Sequence, residues 1–331
     1  MAVLVTGAAG FIGMHVARAL LARGERVIGI DNLNDYYDPA LKHARLAELD
    51  RQGGDFTFHQ LDFADAEALE TALGGAKIDR IVHLGAQAGV RYSLEAPATY
   101  IRSNLVGHAN ILELARQREV GHLVYASSSS VYGGGTTLPM SVDQRADRPL
   151  SLYAATKKSD ELLSESYAHL FALPQTGLRF FTVYGPWGRP DMAMWLFTDA
   201  ILAGRPIKLF NHGQMRRDFT FIDDIVDGLI RTLDCPPAAD GSAKPGGSRS
   251  AHAIYNIGNS RSEELGRLVS LIEQATGRTA AVETAEMQPG DMTDTFADTS
   301  AIAHDTGFTA HTSLDEGVPR FVKWFRDYHK R

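Results

Sequence analysis

With 331 residues, 44% of them hydrophobic and 22% charged, the chain exceeds what one hydrophobic core usually serves, and it contains no unbroken apolar run of membrane-spanning length. The 33 basic residues against 40 acidic ones, with a pI near 5.9, exclude the broad positive surface that holds nucleic acid. The single cysteine, Cys235, excludes an internal disulfide and a thiolate metal cluster, and twelve histidines without zinc-site spacing predict no metal.

Met1 leads directly into the apolar Ala2–Val5 without the basic start and long apolar body of a signal peptide, so a cytoplasmic protein is expected. Short apolar runs then alternate with helix-like segments: 2–6, 26–31, 56–61, 80–84, 122–126 and 177–183. That rhythm predicts an α/β fold with a doubly wound parallel sheet. Between the first two runs Ile12, Val16, Leu20 and Leu21 recur at helical spacing until Gly24, which makes one complete βαβ unit. Beyond Tyr184 the rhythm becomes irregular, and a smaller domain is expected to begin there. Pro236–Ser250, rich in Gly, Pro, Ser and Ala, reads as a mobile surface loop.

Thr6-Gly-Ala-Ala-Gly-Phe-Ile-Gly13 follows the first run and opens the first helix. Glycines at 7, 10 and 13 let the backbone turn tightly and approach a pyrophosphate, whose charge is stabilised by free amides at the helix N-terminus. This is a Rossmann-type signature. Asp31 closes the second run, where a carboxylate meets the adenosine ribose and repels a 2′-phosphate, so the cofactor implied is NAD and not NADP. Asp62, closing the third run, has two readings, a partner for the adenine amine or a solvated turn.

Tyr153 and Lys157 form Y-x-x-x-K, which puts both side chains on one helix face. A phenol near its ordinary pKa of about 10 is a poor base at neutral pH. A neighbouring ammonium and an oxidised nicotinamide both favour the phenolate, and a serine from Ser127–Ser130, at the end of an apolar run, can share the substrate proton. Those serines also read as an ordinary polar turn, and Y-x-x-x-K occurs by chance, so it is the combination that carries weight.

These residues in this order resemble the extended short-chain dehydrogenase/reductase family over nearly the whole chain, with close similarity to its UDP-glucuronate 4-epimerases. The stretches that carry the likeness are 31–37, 87–93, 127–133, 151–157, 180–190 and 215–220. The resemblance implies an NAD-binding Rossmann domain over 1–183, to which the chain returns around 223–258, and a smaller C-terminal α/β substrate domain over most of 184–331. It implies cofactor contacts from Gly7, Gly10, Phe11, Ile12, Gly13, Asp31, Asn32, Asp62, Phe63, Ala86, Gln87, Asn104, Ser127, Tyr153 and Lys157.

The implied chemistry is removal of the 4-hydroxyl proton of a UDP-sugar by Tyr153, helped by Lys157 and Ser128, while hydride passes to tightly bound NAD. The resulting 4-keto sugar turns over in the site and takes the hydride back on its other face. A 4-keto glucuronate is a β-keto acid that readily loses carbon dioxide, so its carboxylate must be gripped. Arg189 is the implied clamp, with Thr182, Ser129 and Ser130 around the same group, although Arg189 alone would read as a surface-loop arginine. Arg217 is the implied diphosphate partner, Ile207–Phe210 lie near the uracil, and Gln288 and Asp291 close the site, with Arg216 solvated. Ser127–Gly133 lacks the carboxylate of related dehydratases and decarboxylases, which disfavours both of those chemistries.

Two rivals remain at this point, a UDP-glucose/UDP-galactose 4-epimerase and a non-catalytic NAD-binding sensor. The helical segments 100–116 and 153–171 resemble those through which family members pair, so a homodimer is expected.

Overall fold

The computed structural model describes residues 1–287 and 290–331. The first strand, Ala2–Thr6, is wholly buried and pairs in parallel on both sides, with Arg26–Asp31 and with Arg80–His83. Phe56–Gln60 extends the sheet beyond Arg26–Asp31, and His122–Ser128, Gln175–Phe180 and His252–Ile257 extend it on the other flank. All seven strands are parallel, so helices must carry each crossover and cover both faces. The predicted doubly wound α/β fold is therefore present.

In chain order the sheet runs third, second, first, fourth, fifth, sixth, seventh, so strand order reverses between Ala2–Thr6 and Arg80–His83. The crevice at the carboxyl ends of those two strands is the place where such sheets bind ligands. The run 177–183, read above as one strand, is two. Gln175–Phe180 belongs to the main sheet, and Thr182–Tyr184 pairs with Phe219–Phe221. The division falls at Phe181, whose amide still bonds to Ile257 of the main sheet (3.2 Å) while the next amide, Thr182, turns to Asp218 (3.0 Å). The seventh strand, whose return is expected above only through the resemblance, is fully buried along its length.

Beyond Tyr184 the structure is a set of helices and two-stranded ribbons. Ile207–Phe210 pairs with Val282–Ala285, and Arg216–Arg217 pairs with Glu263–Glu264. Helix Ile222–Leu233 returns to pack on helix Phe11–Ala22, and Leu314–His329 lays an aromatic face of Phe321, Trp324 and Phe325 against Trp195. Trp324 and Tyr328 also hold Trp187, fixing the loop that carries Arg189. The 236–250 stretch is tied down by Lys244, which donates to Asp240 (2.6 Å), and by Pro245, whose carbonyl accepts from the strand residue Ile254 (2.9 Å). Among the described residues no helix is long and apolar enough to cross a membrane.

Candidate active site

At the strand reversal, Gly7 has φ +69°, and a Cβ there would press within 2.8 Å of the Gly85 amide on the neighbouring strand end. A Cβ on Gly13 would overlap the Gly7 carbonyl, so glycine is what lets helix Phe11–Ala22 start directly on the turn. Gly10 caps that helix without any side-chain hydrogen bond, leaving first-turn amides free for an anion. Thr6 locks the two strand ends together: its hydroxyl oxygen accepts from the Gly85 amide (3.0 Å) and lies 2.7 Å from Nδ1 of His83. Burial pulls His83 down to about 3, so the ring is neutral and its Nδ1 can accept the Thr6 proton.

Asp31 is buried at the end of its strand. Its Oδ1 accepts from the Leu33 amide (2.9 Å) and lies 4.0 Å from Nζ of Lys42, while Oδ2 has no protein partner among the described residues. A ribose diol fits that oxygen, and the glycine cradle fits a pyrophosphate, so the chain's own residues suit NAD. Of the other predicted cofactor contacts, Phe11 is buried and Ile12 half-buried at the helix start, and Asn32 follows Asp31 with its Oδ1 accepting from the Asn34 amide (3.1 Å). Asp62 accepts from the Ala64 amide (2.9 Å) and pairs with Arg102 (3.0 Å). Phe63 packs its ring against Gly85 and Gly107, and its carbonyl accepts from Asn110 (3.1 Å). Ala86 and Gln87 continue the loop from Gly85.

Asn104, in a π-helical turn, accepts from the Gln87 amide (2.8 Å) and donates to the Gln87 carbonyl (3.1 Å) and to Thr156 (3.0 Å). It thus clamps the loop after the fourth strand to the helix Leu152–Phe171, which carries Tyr153 and Lys157. Ser151 caps that helix by accepting from the Ala154 amide (3.1 Å), so Tyr153 stands in its first turn. The Tyr153 ring meets Tyr100 edge-on at 6.2 Å. Lys157 is buried, and its ammonium is shared with a partner the sequence reading did not name: Asp160, fully buried, at 3.0 Å. Burial pushes the Asp160 carboxyl up to about 6 against the pull of Lys157.

Ser127 and Ser128 end the fifth strand and point to different tasks. The Ser127 hydroxyl donates to Glu161 (2.7 Å), which also receives two hydrogen bonds from Arg179 (2.8 and 2.9 Å), all in the protein interior. Ser128 accepts from the Ser130 amide (3.2 Å), which leaves its own O–H proton to donate. Ser129, Ser130, Thr182, Arg217 and Asp291 line one cavity of about 120 Å³ with Val90, Leu150 and Gly290. Five predicted substrate residues from four separate regions of the chain therefore meet. Among the described residues Arg217 donates only to the main-chain carbonyls of Arg216 and Thr293 (2.9 Å each), and burial lowers its pKa while Asp291 partly restores it. Arg216 is exposed, as expected. Gln288 lies outside the described residues.

Arg189 is not among the residues that line that cavity. Its guanidinium is held by Asp191 and lies close to Tyr36, Tyr100 and Gly89. Burial works against its charge, but Asp191, with Tyr36 and Tyr153, raises its pKa above the ordinary value. The loop it rides on is anchored by Arg45, fully buried, which donates to the carbonyls of Ala9 (3.0 Å), Trp187 (2.7 Å) and Gly188 (3.1 Å). One side chain thus joins the glycine turn to the Arg189 loop. Sequence reasoning missed Tyr36, Lys42, Arg45, Tyr100, Asp160 and Asp191. A signal existed for Tyr36, inside the 31–37 stretch, and for Arg91, inside the 87–93 stretch, which pairs with Asp291 (3.2 Å) and stacks over Phe210.

Residues 3–258 match the NAD dependent epimerase/dehydratase family. The chain is 45% identical over 336 residues to Protein CapI of Staphylococcus aureus, covering 100% of both. It is 44% identical over 335 residues to UDP-glucuronate 4-epimerase 4 of Arabidopsis thaliana, covering 99% of this chain and 76% of that one. It superposes with TM-score 0.86 on the UDP-glucuronic acid 4-epimerase from Bacillus cereus in complex with UDP-glucuronic acid and NAD, at 30% identity and covering 99% of this chain and 100% of that one.

Proposed function

The chain belongs to the NAD dependent epimerase/dehydratase family, and from that premise we propose that it is a UDP-glucuronate 4-epimerase, interconverting UDP-glucuronate and UDP-galacturonate through a transient 4-keto sugar. The observation that carries the substrate reading is Arg189, a guanidinium beside Tyr36, Tyr100 and Tyr153, where a hexuronate carboxylate can be gripped.

Gly7, Gly10, Gly13 and Asp31 hold NAD, which when bound supplies the acceptor and later the donor of hydride at C4. Tyr153 acts as the base. With Lys157 one helical turn further along the same face, its phenolic oxygen takes the proton of the 4-hydroxyl and returns it after the sugar has turned. Ser128 donates its free O–H to the sugar oxygen. Ser129, Ser130 and Thr182 line the sugar pocket, and Arg217, without a paired side-chain carboxylate among the described residues, takes the diphosphate. Asp291, bridged to Arg91, closes the cavity. Ser127–Gly133 carries no carboxylate to assist elimination.

The same reading has the chain working as a homodimer. Ile101, Val106, Leu162, Leu170 and Phe171 are exposed on the two helical segments expected to pair, and a second copy seated there covers them. It also places the enzyme in the cytoplasm, the compartment suited to a chain with one exposed free cysteine.

Proton NMR of UDP-glucuronate incubated with the NAD-loaded protein is expected to show UDP-galacturonate forming without consumption of added NAD. Tyr153→Phe is expected to lower turnover by about 10²- to 10⁴-fold with NAD still bound. Faster turnover of UDP-glucose overturns the substrate assignment; a wild-type protein that turns over neither sugar favours the sensor; undiminished turnover by Tyr153→Phe removes that residue from the mechanism.

A further inference from the structure

The clamp proposed above is not a free arginine. The Asp191 carboxylate takes the side-on edge of Arg189, with Nε donating to Oδ1 at 2.9 Å and Nη2 donating to Oδ2. Tyr36, 155 residues earlier in the chain, donates its hydroxyl to the same Oδ2 at 3.1 Å. Burial, reinforced by Asp191, pushes the Tyr36 phenol up to about 12, so it remains a donor throughout the working range. The Nη1 group of Arg189 has no hydrogen-bond partner among the described residues, and it is not sealed from solvent. A guanidinium offers two carboxylate-binding edges, one through Nε and Nη2 and one through Nη1 and Nη2. Here the first is filled from within the protein.

We propose that Asp191 and Tyr36 are positioning residues that set carboxylate specificity: they fix the Arg189 fork so that its end-on edge, through Nη1, is the one presented to the hexuronate carboxylate. The inference rests on the UDP-glucuronate reading. Its physical basis is that an arginine side chain has several rotatable bonds, and a fork left free has to be ordered each time a substrate arrives. Asp191 orders it beforehand. The arrangement also pairs the guanidinium charge in the absence of substrate, so that selection depends on the geometry of the two hydrogen bonds more than on bare charge attraction. Tyr36 orients the carboxylate that orients the arginine. Its ring is braced by Tyr92 at 4.9 Å.

The test is isothermal titration of the NAD-loaded wild type, Asp191→Asn and Tyr36→Phe with UDP-glucuronate and with UDP-glucose, alongside NMR measurement of any decarboxylated pentose. In Asp191→Asn the affinity ratio between acid and neutral sugar is expected to fall roughly tenfold to a hundredfold, and the pentose fraction to rise. Tyr36→Phe, which removes one hydroxyl and keeps the ring, is expected to lower the ratio about threefold to tenfold. A purely structural role lowers both affinities together and leaves the ratio unmoved, which overturns the inference. A ratio that rises in Asp191→Asn also overturns it, because Asp191 is then a competitor for Arg189. A wild type without preference for the acid sugar overturns the substrate reading and this inference together, whereas a preference that survives both substitutions overturns this inference alone.

Discussion

The two ends of the cleft are made of different materials. At the cofactor end, backbone does most of the shaping: Gly7 and Gly13, from one short segment, permit close backbone contacts that any side chain would block. At the substrate end, Ser129, Thr182, Arg217 and Asp291 come from four stretches of chain, and Arg189 is steadied by Asp191 and Tyr36. Beneath it lies a charged interior in which Glu161, Arg179, Lys157 and Asp160 are all buried. The difference predicts how each end fails. A backbone cradle has no partial state, so one methyl group in the wrong place abolishes it, whereas a network of side-chain pairs loses stability or specificity in steps.

The sharpest break of that contrast is Gly13→Val. Its Cβ would meet the Gly7 carbonyl, which is backbone and cannot swing away, so the helix must lift off the turn. The expected outcome is a cost on the order of 3 kcal/mol or more and protein that purifies without NAD, read from the ratio of absorbance at the nucleotide and protein bands. A variant that retains its dinucleotide would show that the turn has more slack than the geometry gives it.

The charged interior gives a graded effect. Burial pushes the Glu161 carboxyl up, but the Arg179 fork, with Lys158 and Ser127, overrides it and holds the pKa at about 2, below the ordinary 4.5. Because folding lowers this pKa, the stabilisation is complete above about pH 4.5 and is lost as pH falls toward 2, an effect of about 3 kcal/mol. Asp160 acts with the opposite sign: folding raises it from 3.8 to about 6, so it costs stability as pH rises through that window. Arg179→Met is expected to destabilise the holo-protein by about 3–5 kcal/mol at pH 7, since it strands a buried carboxylate, and to remove the acid limb below pH 4.5. Urea unfolding from pH 2 to 7 measures both, and an acid limb of unchanged depth in the variant would take Arg179 out of the account.

How much of this could be read from the chain follows the same division. The glycine spacing, the strand rhythm and Asp31 encode local backbone geometry, and each run read as a strand in the first half falls on one, to within a residue or two except where Gly177–Val183 divides at Phe181. Tyr153 and Lys157 were legible because four residues along a helix fix their relation. Asp160, three residues after Lys157, was not, because its role depends on complete burial, and an aspartate in a polar-looking helix reads as solvated. The link between Tyr36 and Asp191 was invisible for another reason: Tyr36 lies inside the 31–37 stretch, but a hydrogen bond across 155 residues leaves no periodicity and no local motif. Arg45 is similar, a helix arginine that donates to the Tyr37 hydroxyl and to carbonyls contributed by two other segments. Long-range polar pairs of this kind are specified by the fold as a whole.

The smallest and most discriminating effect concerns the adjacent serines. The resemblance implies that Ser127 touches the cofactor, but its hydroxyl is spent on Glu161 at 2.7 Å, and Ser127 is buried. Only its main chain is left to face the cleft. Ser128, one residue on, alternates to the other side of the strand end and keeps a free proton. Ser127→Ala is therefore expected to cost about 1–2 kcal/mol of unfolding free energy, the loss of one hydrogen bond to a charged group that retains its arginine, with NAD content and turnover held to within about twofold. Ser128→Ala is expected to do the reverse, leaving stability nearly intact and slowing turnover about tenfold to a hundredfold. Thermal unfolding and single-turnover rates on the two variants separate the cases. If Ser127→Ala lost NAD while keeping its stability, the hydroxyl would have to swing from Glu161 to the cofactor on binding, and the boundary drawn here between supporting interior and reactive surface would move by one residue.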